Sequence, residues 1–384
     1  MRQVLVGICK YFIMKYFIFI ISVSCVLMYG CTQGKKNAAA TQQPVPALKD
    51  VFKGDFLIGA ALSWPQVQQK DPVAIGLIPY HFNAATPENI MKAEKLVDAW
   101  GKYDFSKADK LVEYCRKNNI VVNGHTLIWH SQMPDFARRI QNVDSFRTFF
   151  TDHIRKVAGH YSGKVQSWDV VNEALNEDGT LRQTPFLNKL GEGYLVDAFR
   201  LAAEASPHTD LYYNDYNNEQ PQKRVGCISI IKKIQNAGVK IDGVGIQGHW
   251  HVGKVPFKDI EESILEYAAL GIKVAFTELD IEVLPRNFTG AEVSQRMKAD
   301  AASNPYENGL PDSVQKQLAD DYGALFRLFL KHRDKIARVT LWGVHDGQSW
   351  LNDWPVTGRT NYPLLFDRQG KPKPAFYSVI AAKQ

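Results

Sequence analysis

Eight short β-rich runs follow one another along this chain, separated by stretches with helical spacing. The runs are FLIGAAL (56–62), HFNAA (81–85), IVVNGHT (120–126), VQSWDVVN (165–172), LYYNDY (211–216), IDGVGIQ (241–247), KVAFTE (273–278) and RVTLWGV (338–344). Between them, SKADKLVEYCRKNN brings Leu111, Val112 and Cys115 to one helical face, and several later segments repeat the pattern. Alternating strands and helices build a parallel sheet. Eight units is the number that closes a (β/α)8 TIM barrel. The rival, a doubly wound open sheet, carries a Gly-rich turn after its first strand, but the chain reads GAALSWP there. The predicted fold is an α/β barrel in a single domain over 48–384.

A barrel makes a statement about chemistry. All its strands point one way, so the functional side chains gather at their C-terminal ends. Those ends read Asn83 to Asn89, then His125, Trp129 and His130, then Asn172-Glu173, Asn214-Asp215-Tyr216, Gln247 and His249, Glu278, and Trp342. Core packing alone does not require polar and aromatic groups at nearly every strand end. Glu173 and Glu278 each follow a strongly apolar run. Either one alone could cap a helix or pair with a lysine. Two on one barrel face, among amides and aromatics, fit glycosidic cleavage, which needs one acid for the leaving oxygen and one carboxylate to attack or to activate water.

Composition narrows the partners. The net charge is +6; Arg2, Lys10 and Lys15 precede Cys31 with no acid among them, which leaves +3 for the rest. No run of five like charges occurs, so no nucleic-acid footprint is indicated. Residues 16–30 are apolar or small and uncharged, short for a membrane span and suited to a signal h-region. Met14-Lys15 would give a compact start before it. Gly30-Cys31 followed by a polar stretch resembles a bacterial lipoprotein signal, so 1–31 is expected to be a signal with Cys31 lipidated. Residues 32–47 then form a flexible tether. Plain secretion is the alternative. Only Cys115 and Cys227 lie in the folded part. Both fall in amphipathic helices and are expected as buried free thiols.

Seven motifs in order carry a family resemblance: TPENIMK (86–92), GHTLIWHSQMPDF (124–136), WDVVNEAL (168–175), YYNDYN (212–217), GVGIQGHW (243–250), FTELDI (276–281) and LWGVHDGQSW (341–350). Together they resemble the glycoside hydrolase family 10 endo-β-1,4-xylanases over roughly residues 50–382. The resemblance implies a retaining glycosidase with Glu173 as general acid/base and Glu278 as nucleophile. It implies that His249 and Asp280 keep the nucleophile ionised and aimed, and that Asn172 bonds the 2-hydroxyl of the reacting sugar. Glu88, Asn89, Lys92, His125 and Gln247 match the glycone-side hydrogen-bonding group. Trp129, Trp342 and Trp350 match its aromatic platforms, and Tyr216 the first aglycone aromatic.

Some residues have plainer readings. Trp168 and Trp100 are expected in the core. His249-Trp250-His251 could begin a metal site, but no third ligand is evident, so neither metal nor other cofactor is expected. The expected substrates are xylan and xylo-oligosaccharides, acted on by an exported monomer anchored in a bacterial envelope or secreted. Two alternatives stand beside this. One is a related barrel β-glycanase with another substrate. The other is an inactive surface glycan-binding lipoprotein, which should lack one of the two glutamates. Residues 284–312 are expected to form a long loop after the seventh strand.

Overall fold

The computed structural model describes residues 45–285 and 297–384. The expected signal segment, Cys31 and the tether up to residue 44 lie outside the described residues.

Eight parallel strands form the barrel: β1 (Leu57–Leu62), β2 (Ala84–Pro87), β3 (Val121–Trp129), β4 (Ser167–Asn172), β5 (Asp210–Asp215), β6 (Gly243–Ile246), β8 (Lys273–Glu282) and β10 (Ile336–Leu341). Each pairs with the next, and β10 pairs with both β1 and β8, which closes the ring. A short strand, β7 (His249–His251), lies along the outer part of β8 and sets His249 opposite Asp280.

All eight expected runs overlap a barrel strand, with shifted ends. The second run is expected to start at His81, but His81 closes the helix Ala74–His81, and β2 starts at Ala84. Its ring accepts a hydrogen bond from the Leu48 N–H and packs against Phe366, contacts that favour the helix end over the sheet. β3 runs on to Trp129, so this indole stands on the sheet itself.

The barrel is filled by side chains, and strand glycines make the room. Trp168 is fully buried, as expected. A Cβ added to Gly124 on the neighbouring strand would lie 2.2 Å from its ring. The outer helices bury the stripe their spacing predicts; Leu111, Val112 and Cys115 all face inward. Cys115 and Cys227 are buried free thiols, and burial pushes each up to about 12.

Trp100 corrects an expectation. It is 93% exposed, not in the core. It sits at the tip of a tight turn where the Asp98 carboxylate accepts from the N–H groups of Trp100 and Lys102. These bonds project residue 100 away from the fold.

The long excursion after β8 is only partly a loop. Residues 286–296 lie outside the described residues. Beyond them β9 (Met297–Lys298) pairs with β11 (Val356–Thr357) in a separate two-stranded sheet. The Met297 N–H donates to the Pro355 carbonyl at 2.8 Å, and the Tyr362 hydroxyl donates to the Tyr306 carbonyl at 2.8 Å. The helix Asp312–Lys331 follows.

Candidate active site

The strand ends open into one cleft of about 630 Å³. Glu173 and Glu278 both line it, with His249 beside them. So do Glu88, Asn89, Lys92, His125 and Trp129 from the loops and strands at β2 and β3. Asn172, Tyr216, Gln247, Trp342 and Trp350 complete the set of residues read from the sequence. Asp280 does not reach the cleft. It is buried behind His249.

Glu173 follows the last residue of β4 with a left-handed backbone, φ +57. A non-glycine residue there carries about 1–2 kcal/mol of strain, which surrounding bonds must offset. Its N–H donates to the Asn214 carbonyl at 2.9 Å. Three side chains donate to its carboxylate: Trp129 Nε1 at 2.8 Å, Gln247 Nε2 at 3.0 Å and Asn172 Nδ2 at 3.1 Å.

Glu278 is held differently. Asn214 Nδ2 donates to its Oε1 at 2.9 Å, and His249 Nε2 lies 3.3 Å from Oε2. The other nitrogen of His249 meets Asp280 Oδ1 at 2.9 Å. Burial works against a charged imidazole, but the Asp280 and Glu278 carboxylates outweigh it and raise His249 to about 10. At neutral pH the ring is an imidazolium donating from both nitrogens. Asp280 Oδ2 accepts from Trp350 Nε1 at 2.7 Å, so one carboxylate orients both the histidine and an indole.

The two glutamates are joined. Asn214 Nδ2 also donates to Asn172 Oδ1 at 2.8 Å, and Asn172 donates to Glu173. Thr277 fixes the Asn214 amide by donating to its Oδ1 at 2.6 Å.

The surroundings of Glu173 act on its charge in opposing ways. Burial pushes Glu173 up, but the bond from Gln247, the positive charge of His130, the bond from Trp129 and the charge of Arg182 together hold it below the ordinary glutamate range. These donors and charges together favour its ionised form. On the glycone side, burial raises Glu88 and lowers Lys92, with each partly restoring the other. Lys92 Nζ also lies 4.9 Å from the centre of the Trp129 ring.

Trp342 and Trp350 both lie edge-on or tilted to His249, at 6.3 and 5.0 Å between ring centres. Trp350 stacks on Trp354 at 4.6 Å and 16°. The sequence reading gave Trp354 no role, although it lines the cleft. Glu94, Gln132, Glu177 and Asn217 line it too and were likewise unassigned. Asn214 is the main omission. It stands in the YYNDYN motif, but its strand position carries no sign that its amide bridges Glu278 and Asn172. Of the possible metal pair, His249 binds carboxylates, while His251 Nε2 is 2.9 Å from the Leu284 carbonyl.

Paired carboxylates, amides and indoles at the C-terminal mouth of a closed (β/α)8 barrel define a barrel glycoside hydrolase. The model of glycosyl hydrolase family 10 matches residues 47–382, and the chain belongs to this family. It is 41% identical over 349 residues to endo-1,4-beta-xylanase A of Xylanibacter ruminicola, covering 89% of this chain and 95% of that one. It is 38% identical to a beta-1,4-xylanase of Dictyoglomus thermophilum, covering 94% and 98%. Among solved structures, a GH10 endoxylanase from a sugarcane soil metagenome superposes with a TM-score of 0.84 at 42% identity, over 87% of this chain and 99% of that one.

Proposed function

We propose that this chain is an endo-β-1,4-xylanase that cleaves the xylan backbone by double displacement. Glu278 is the nucleophile and Glu173 the acid/base. The bridge from Glu173 through Asn172 and Asn214 to Glu278 carries this reading. It links the two carboxylates through two side-chain amides while leaving each with different donors.

In the first step Glu278 attacks the anomeric carbon and the leaving oxygen takes a proton from Glu173. His249 and Asn214 hold and aim the attacking carboxylate. Attack neutralises Glu278 as the glycosyl-enzyme forms. Glu173, now ionised, takes a proton from water for the second step.

Glu173 must be protonated when the first step begins, yet the protein's own donors favour its charged form. Sugar hydroxyls competing for the amides of Gln247 and Asn172 would withdraw two of its donors. Excluded water would add to the burial that already pushes it up. Substrate binding then arms the acid.

The named relatives are xylanases and support the substrate class. Two experiments test the reading. Glu278→Ala should lose xylan hydrolysis by about 10⁴-fold or more while still binding xylo-oligosaccharides. NMR of the first product should show the β-anomer. Persistent turnover in the variant, or an initial α-product, would overturn it. Preference for cellulose or mannan over xylan would favour the related β-glycanase reading.

We further propose, from sequence alone, that residues 1–31 direct export, that Cys31 carries a lipid anchor, and that the enzyme acts as a monomer. Labelled fatty acid should enter the full-length chain and not Cys31→Ala. Equal labelling would refute the anchor.

A further inference from the structure

Beneath the aglycone side of the cleft lies a charge cluster built around the Tyr216 ring. Lys223, in the helix Pro221–Asn236, is 0% exposed. Its ammonium stands 3.5 Å from the centre of the Tyr216 ring. It pairs with Asp215 Oδ1 at 3.1 Å, both groups fully buried, and with Glu177 Oε1 at 3.4 Å. Asp215 is committed on both oxygens. Oδ2 accepts from the Tyr213 hydroxyl at 2.5 Å, and Oδ1 accepts from the Tyr216 N–H at 2.9 Å.

A second cation grips the far end of the same tyrosine. Arg182 Nη2 donates to the Tyr216 hydroxyl at 2.6 Å and to the Leu175 carbonyl at 3.1 Å. Its Nη1 lies 3.3 Å from His130 Nε2. The ring is thus held at its backbone by Asp215, on one face by Lys223 and at its hydroxyl by Arg182.

Burying an unpaired ammonium is strongly unfavourable, so a lysine at this depth must offset its desolvation through its contacts. The ring face and Asp215 supply most of them. Because the ammonium occupies one face, a sugar can meet only the other. The cluster also ties together the two loops that flank the bond to be broken. Tyr216 follows β5, while Glu177 and Arg182 belong to the segment after Glu173.

We infer that Lys223 and Arg182 are positioning residues for the leaving-group sugar: they fix the Tyr216 platform in the plane and at the height from which Glu173 can reach the glycosidic oxygen. The inference rests on the xylanase reading and adds the two groups that set its aglycone side. Neither residue is assigned to touch substrate.

A purely structural pair would affect all substrates alike. A positioning pair should matter only when a sugar occupies the aglycone side and its oxygen needs protonation. The experiment compares xylotetraose with 2,4-dinitrophenyl β-xylobioside, whose leaving group needs neither a platform nor an acid. For Lys223→Met, kcat/KM on xylotetraose should fall by at least about tenfold relative to the dinitrophenyl substrate. Arg182→Met should shift the same ratio in the same direction. Tyr216→Phe keeps the ring over Lys223 and removes only the acceptor for Arg182; it should shift the ratio less, and it serves if Lys223→Met does not fold. Equal losses on both substrates, or none on either, overturn the inference. A wild-type enzyme inactive on both substrates would instead refute the xylanase reading.

Discussion

Asn214 Nδ2 lies 2.9 Å from Glu278 Oε1 and 2.8 Å from Asn172 Oδ1, so a single amide spans the distance between the nucleophile and the neighbour of the acid. Its carbonyl oxygen is fixed by Thr277, which leaves no freedom to flip. Asn214→Ala removes a donor from Glu278 and frees Asn172. The expected loss in kcat is about 10²–10³-fold, the scale for one preorganised donor. KM should move little. An unchanged kcat on xylotetraose would show that His249 alone suffices to aim the nucleophile.

The donors around Glu173 give a pH signature. In the free enzyme its carboxyl lies below the ordinary range, so kcat/KM should begin to fall at low pH as the acid form is lost. If bound sugar takes over the amides of Gln247 and Asn172, the alkaline limb of kcat should lie at higher pH than that of kcat/KM. Steady-state rates on xylotetraose from pH 3 to 9 measure both. Coincident limbs would mean that the donors stay on Glu173 throughout.

His249 links charge to stability. Its value is raised from 6.5 to about 10 in the folded protein. The stabilisation from its charged pairs is therefore full below pH 6.5 and is lost progressively as pH rises through about 10. Replacing it by Asn removes that dependence. The Tm gap between wild type and His249→Asn should be widest near and just below pH 6.5 and narrow as pH rises toward about 10. A gap that stays constant with pH would contradict the imidazolium assignment.

Gly226 offers a test of the wall behind the acid. A Cβ there would fall 2.2 Å from the Gly179 carbonyl oxygen, a backbone atom with little room to yield. Gly226→Ala should lower the unfolding free energy by about 1–3 kcal/mol, the usual cost of overpacking. Urea unfolding reads this directly. An unaltered midpoint would mean that the segment carrying Glu177 moves aside freely.

The barrel was legible because alternating strand and helix periodicity repeats eight times, and topology then selects the strand ends. Glu173 and Glu278 stood out as carboxylates following apolar runs. What the sequence hid depends on distance across the fold. Lys223 lies in a helix and reads as one more surface lysine in KRVGCISIIKKI; only packing shows it beneath Tyr216. Arg182 sits in a polar loop with no periodicity. Trp100 was misread because an indole in a short segment carries no sign of which way its turn projects. His81 was read as strand because β-favouring neighbours surround it, and its ring contacts decided otherwise.

The small sheet of Met297–Lys298 with Val356–Thr357 has a consequence for anyone redesigning this enzyme. A lengthy excursion after β8 invites deletion, since most long loops tolerate shortening. Here its far end is bonded to the segment right after Trp354, and Trp354 backs Trp350. Trimming one excursion would unseat an indole carried by the other, so the two are best grafted, swapped or shortened as a matched pair.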